Sequence, residues 1–314
     1  MNYLSAEIRR LIDCLNSLHE GDRAVDLLVA CGEAAIAPLR KYLMEGQPSH
    51  IYQPRQRAVI VLTRLGAKEV LMEYLSTPKE TSDPVFQFGE EAVENTAARA
   101  LARWQTDEVF DALLRIAHAR TLPGVIEALG SFRRLETVPL FIAALMDDVS
   151  RTAAENALKA MGETAKQALI KVICASPHAS EDGESPSILL RRRSAMRILA
   201  DLTVTMDEWS GLKEFLHDDD PEISISAARM ALDIAGSEDK KTALITLMGK
   251  IPFVNWYSQT EIESCLVKHY GFAYEQIVDQ IAQRIMQPEK AQALDRVLQI
   301  LLNVQRRAGE ANEK

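Results

Sequence analysis

Aromatic residues are scarce in this chain, at 6% of 314 residues. Strands draw on aromatic and β-branched residues in strict alternation, punctuated by hairpin glycines. No such run is present, so no sheet is expected. Cysteine is nearly as rare: Cys14, Cys31, Cys174 and Cys265 lie too far apart for a C-x-x-C site, which excludes a zinc ribbon and argues against a disulfide framework. Such spacing fits reduced thiols in a cytoplasmic protein. No apolar run approaches the roughly 18 uninterrupted residues a membrane helix needs. The opening MNYLSAEIRRLIDCLNSL is charged throughout and is not a signal peptide. Positive charge is in deficit, with 36 Lys and Arg against 45 Asp and Glu, a formal net charge of −9. That balance disfavours bulk binding to nucleic acid or anionic membrane. A soluble, cytoplasmic protein with no membrane partner is the expectation.

What the chain does have is a repeated helix. VSRTAAENALKAMG (149–162) is amphipathic and ends on glycine, and RQRAVIVLTRLG ending at Gly66 and ISISAARMALDIAG ending at Gly236 share its spacing. Aligned on the leucine-like residue, the copies fall at Leu62, Leu101, Ile126, Leu158, Leu199 and Leu232, a loose period of a little over about thirty residues. Before each copy lies a second apolar-periodic stretch, such as EAAIAPLRKYL, DEVFDALLRIA or ETAKQALIKVI, with apolar residues at i, i+3, i+4 and i+7. The predicted map is about nine helix pairs: 4–31, 33–65, 67–104, 106–132, 136–161, 163–201, 206–235, 237–270 and 273–308. A single pair cannot bury both its faces, so neighbours must stack.

One pair is specific enough to compare. LETVPLFIAALMDDVSRTAAENALKAMGETAKQALIKVI (135–173) has Pro139 inside its first helix, Asp-Asp at 147–148, Arg151 three residues before Ala154, then Ala157-Leu158 and Gly162. It resembles the short HEAT-like repeat named after phycobilisome lyases. Arg55 with Ala58, and Arg192 with Ala195, match less completely, while Glu94 and Ala119 stand where the family arginine should be. The resemblance covers about residues 33–250. It implies an all-α, right-handed α-solenoid, an armadillo-like α–α superhelix. The expected layout is one array over 1–314: a cap pair at 1–32, core repeats at 33–250, C-terminal capping helices at 251–308 and a frayed tail at 309–314.

HEAT-like repeats carry many unrelated jobs. Deoxyhypusine hydroxylases of this group hold iron through several His-Glu dipeptides, whereas this chain has His19-Glu20 alone, and its histidines at 19, 50, 118, 178, 217 and 269 form no i, i+4 pair. Metal ligation needs several converging ligands, so neither metal nor cofactor is expected. HEAT-like DNA glycosylases use a basic concave face with aromatic residues, but Trp104, Trp209 and Trp256 read as core packing. Nothing beyond the generic repeat points to a bilin pocket. No Gly-rich phosphate loop, G-x-S-x-G elbow or Cys-His pairing stands out, and no catalytic residue is assigned. HDDDPE at 217–222 reads as a solvated turn and helix N-cap.

At 100° per residue, the helix after Ser150 gathers Ala154, Ala157, Leu158 and Met161 on one side, and Thr152, Glu155, Asn156 and Lys159 on the other. By the resemblance, second helices line the concave face, so the polar side is the predicted groove. Carried to the other repeats it holds Arg99, Arg120, Lys159, Arg193, Arg197 and Arg229 against Glu127, Glu155 and Asp233, with Val59, Ile60, Met196 and Met230 as exposed apolar contacts. Two readings stay open. The stripe takes an extended or acidic segment of another protein, or its charges form ladders between repeats. Long connections at 44–54, 76–92 and 175–187 should emerge on one edge, carrying Tyr52, Phe86 and Phe88 as further partner contacts. The expected function is a non-catalytic scaffold or adaptor. An enzyme-associated role of the lyase or glycosylase type and nucleic-acid binding through a local basic groove are the alternatives.

Overall fold

The computed structural model describes residues 3–45, 52–77, 83–175, 184–285 and 291–312, and among them every regular element is a helix. The chain divides into two compact units, 1–165 and 166–314. In the first, α1 (Tyr3–Cys14), α2 (Gly21–Ala30), α3 (Ile36–Glu45), α4 (Gln53–Arg64), α5 (Lys68–Ser76), α6 (Pro84–Leu101), α7 (Asp107–Ala119), α8 (Pro123–Phe132), α9 (Val138–Ala144) and α10 (Arg151–Met161) follow one another. Each even-numbered helix packs on the odd-numbered helix before it, and α2, α4, α6, α8 and α10 also stack in that order.

The second unit takes up α11 (Glu163–Cys174) and continues through α12 (Pro186–Ala200), α13 (Met206–Ser210) with a 3-10 turn at Lys213–His217, α14 (Pro221–Ile234), α15 (Ser237–Lys250), α16 (Trp256–Lys268), α17 (Tyr270–Ile285) and α18 (Ala291–Asn312). Here α12 packs on α14 and α16 on α18 along their lengths, while α16 touches α14 only sparsely. α15 and the 3-10 turn both cover α14.

Local chemistry explains where these helices begin and end. Asp83, Ser185 and Asp220 each cap a helix through a side-chain oxygen and are each followed by proline at the first helical position. A cap satisfies an orphan N–H, and proline has none to lose there. Gly66 (φ 75°) and Gly162 (φ 57°) end α4 and α10 in left-handed conformations that favour glycine. Gly236 does not: it sits at φ −70° and caps the start of α15. The aligned positions Leu62, Leu101, Ile126, Leu158, Leu199 and Leu232 are all at most 1% exposed. Burying each such side chain is worth about 1.5–3 kcal/mol, so this row contributes to the apolar core of each unit.

Two boundaries differ from expectation. Residues 84–92 are not a loop, because Asp83 and Pro84 start α6 there, which puts Phe86 and Phe88 in its first turns. The tail is helical further than expected, since α18 runs to Asn312. Of the long connections, 46–51, 78–82 and 176–183 lie outside the described residues. No helix among the described residues is long and apolar enough to cross a membrane.

Candidate functional site

The even-numbered helices carry most of the charged groups that the sequence singles out, and the structure ties these helices to one another. In the first unit, Arg57 of α4 is buried; it donates from Nη1 to the carbonyl oxygens of Leu15 and Ser17, at 2.8 and 2.9 Å, and from Nε to Asp22 at 3.1 Å. Arg55, also on α4, pairs with Glu90 of α6, both at most 5% exposed, and the Tyr74 hydroxyl donates to the same carboxylate at 3.0 Å. One turn further along α6, Glu94 accepts a bidentate pair from Arg120 at 2.6 and 2.7 Å. Arg99 of α6 forks onto Glu127 of α8. Glu94 and Arg120 thus pair with the charges reversed relative to Arg55 and Glu90.

The second unit repeats the device with different residues. Arg192 is buried and joins Glu184 at 2.6 Å to Asp218 at 2.8 Å. Arg193 donates from Nε and Nη2 to Asp220, at 2.9 and 2.6 Å, while the other oxygen of Asp220 caps α14. The Asp220 carboxylate raises the Arg193 guanidinium above its ordinary value. Hence the acidic run at 217–222 is an N-cap as expected, but its Asp218 and Asp220 side chains are not solvated; they are 14% and 9% exposed and gripped from α12. Arg193→Glu would therefore put a carboxylate against Asp220 and Glu222. It should lower the stability of the second unit by about 1–3 kcal/mol, read from the denaturant midpoint. An unchanged midpoint would show that the ladder adds nothing here.

Between α12, α14 and α16 the ladder opens into a trough. One cavity of about 410 Å³ is lined by Ala200, Arg229, Asp233, Tyr257, Glu261 and His269. A second, of about 250 Å³, is lined by Arg193, Arg197, Glu222, Ser226, Tyr257 and Glu261. Tyr257 and Glu261 line both, so the two cavities adjoin. The sparse contact of α14 with α16 leaves this space. Arg229 donates from Nη2 to Asp201 at 3.2 Å, and its Nη1 faces Glu261 at 3.6 Å. Asp233 receives Lys268 at 2.6 Å and stands 3.1 Å from His269 Nε2. Burial lowers the His269 pKa from 6.5, so that ring is neutral at pH 7. Burial pushes the Cys265 thiol up to about 11, so it is no nucleophile at that pH.

No family model matches the chain, and no curated protein matches it. Several solved structures are similar to it, among them two that cover most of the chain. One is human deoxyhypusine hydroxylase in complex with glycerol, at 18% identity and a TM-score of 0.31, covering 85% of this chain and 97% of that one. The other is an engineered protein, at 14% identity and a TM-score of 0.33, covering 98% and 99%. Likenesses this distant carry nothing about activity. His19 and Glu20 are both exposed, and among the described residues no three His, Cys, Asp or Glu side chains gather as a metal set.

The residues expected in the groove meet different fates. Arg193, Arg197 and Arg229 do reach one trough. Arg99 and Arg120 are in the first unit, committed to Glu127 and Glu94, and Lys159 is exposed on α10. Met196 and Met230 are not groove contacts: they are 0% and 3% exposed. Val59 is likewise buried, whereas Ile60 is 44% exposed. For Val59 and Met230 the reason is that α4 and α14 each pack against more than two neighbours, so their open face is narrower than a two-sided wheel allows. Tyr52 is half-buried, its ring edge-on to Phe88 at 6.3 Å and seated over Gly89; Phe86 is half-buried and Phe88 exposed. Of the tryptophans, Trp209 is core, with its indole N–H on Asp239 at 2.9 Å, but Trp256 is 70% exposed beside Tyr257.

The trough residues after position 250 were not expected to contribute. Their signal is nevertheless in the sequence, since Tyr257, Glu261 and Cys265 follow at i, i+4 and i+8 along one face of a helix capped by Asn255.

Proposed function

We propose that the protein is a non-catalytic scaffold or adaptor of the cytoplasm. Its helix pairs are HEAT-like repeats of a right-handed α-solenoid, and an extended segment of another protein lies in the trough across α12, α14 and α16. The observation that carries this reading is that the two cavities adjoin at Tyr257, with Arg193, Arg197 and Arg229 among their lining residues. Tyr257 is 57% exposed and Trp256 70%. Exposed aromatic anchors beside arginines are the usual centres of binding energy at protein interfaces. The pairing of Arg99, Arg120, Arg193 and Arg229 with carboxylates removes the uncompensated positive stripe that a nucleic-acid backbone would need.

The test is fluorescence anisotropy with a labelled decapeptide of alternating Glu and Gly. Wild-type protein should bind it, and Tyr257→Ala should weaken binding about tenfold, the equivalent of about 1.4 kcal/mol. The thermal midpoint should barely move, because a substitution at so exposed a position usually stays within about 0.5 kcal/mol. Undiminished binding by Tyr257→Ala, or no binding by wild type, refutes the reading.

A further inference from the structure

Resting on that scaffold reading, we infer that Glu222 and Glu261 hold the place of the partner's own anionic side chains. They are internal stand-ins that the partner must displace. Arg193 and Arg229 are built alike, each with one edge committed and one edge turned to the trough. Arg193 gives Nε and Nη2 to Asp220, and Glu222 faces its Nη1 at 3.7 Å. Arg229 gives Nη2 to Asp201, and Glu261 faces its Nη1 at 3.6 Å. The committed pairs lie within hydrogen-bond distance and the facing ones lie beyond it.

A guanidinium presents five N–H donors in a fixed fork, so each of these arginines keeps donors for another oxygen. Glu222 and Glu261 are half-buried, 38% and 27% exposed, and neither is within hydrogen-bond distance of the arginine it faces, so little holds either in place. A carboxylate on an extended partner can therefore close the hydrogen bonds that the resident glutamates leave long. The cost is repulsion from the glutamates it displaces. The trough is thus specific for anionic side chains and restrained against binding them tightly.

Glutamine at both positions keeps shape and removes that repulsion. Glu222→Gln/Glu261→Gln should bind the Glu–Gly decapeptide about 3- to 10-fold tighter than wild type, at matched low salt. A Gln–Gly decapeptide should show no gain. The control is Glu214→Gln/Glu238→Gln, which makes the same change in net charge at exposed positions outside the trough. It should leave the affinity within about twofold, because neither carboxylate pairs with Arg193 or Arg229. If the double variant is poorly folded, the single variants Glu222→Gln and Glu261→Gln carry the same test with smaller gains. No gain in either form, or an equal gain from the control pair, overturns the inference while leaving the scaffold reading intact, provided Tyr257→Ala still weakens binding about tenfold. Failure of wild type and all variants to bind the acidic peptide removes both.

Discussion

Glu90→Ala should destabilise the first unit by about 3–5 kcal/mol, the largest effect expected of any single substitution in the protein. Glu90 and Arg55 are 5% and 4% exposed, so removing the carboxylate strands a guanidinium inside the stack of α4 on α6. The Tyr74 hydroxyl, fully buried, loses its acceptor at the same time. Burial already raises the Tyr74 pKa well above its ordinary value, so the phenol cannot ionise to compensate. For a unit of this size the loss amounts to roughly 6–20 °C in thermal midpoint. Amide exchange should accelerate in α4 and α6 and remain unchanged in α14 and α16. A second variant separates the stranded charge from the value of the pair. Arg55→Met/Glu90→Leu, which removes both charges and fills the space, should recover most of the loss, since buried ion pairs gain little over well-packed apolar residues. A double variant as unstable as Glu90→Ala would mean that the pair itself, and not its completion, holds these helices together.

Gly124→Ala should cost about 1–3 kcal/mol, and Gly124→Leu more. A Cβ at Gly124 would stand 2.4 Å from the carbonyl oxygen of Asn95 and 2.7 Å from its Cα, and both are backbone atoms of α6 that cannot step aside. The Gly124 N–H also donates to the Asn95 side chain at 2.7 Å, a bond broken when α6 and α8 are forced apart. Alanine's better helix propensity returns at most about 1 kcal/mol. Gly130→Ala should cost less, because the nearest obstruction there is the Ala157 side chain at 2.8 Å. Gly249→Ala, with nothing within 4 Å, should be neutral or stabilising. Denaturant midpoints of the three variants in that order would confirm the close approach of α6 and α8. A neutral Gly124→Ala would refute it.

The helix pairs were legible because periodicity and punctuation agree. Apolar residues at 3.6-residue spacing mark each helix, and Gly66 and Gly162 mark where two of them stop. The start of α6 is equally legible, since Asp83-Pro84 is the same cap-and-proline signal as Asp220-Pro221. The trough was half legible. Arg193, Arg197 and Arg229 recur at repeat spacing, but which of their atoms are committed depends on Asp220 and Asp201, which lie 27 and 28 positions away in sequence. A helical wheel has no information about such partners. It also assigns one buried face to a helix, whereas Met196 and Met230 fall outside that face and are buried all the same.

The charge reversal on α6 has a consequence for how the chain could have grown. Repeat proteins commonly gain or lose whole units, since each contacts only its neighbours. α4 offers arginine to the next helix in the stack, at Arg55, while α6 offers a carboxylate on each side, Glu90 toward α4 and Glu94 toward Arg120 ahead of α8. Excision of α5 and α6 would bring Arg55 against Arg120 with no acid between them. Duplication of the same pair would set Glu94 of one copy against Glu90 of the next. Copy number is therefore locked at this point, and related chains of different length should differ by pairs inserted elsewhere.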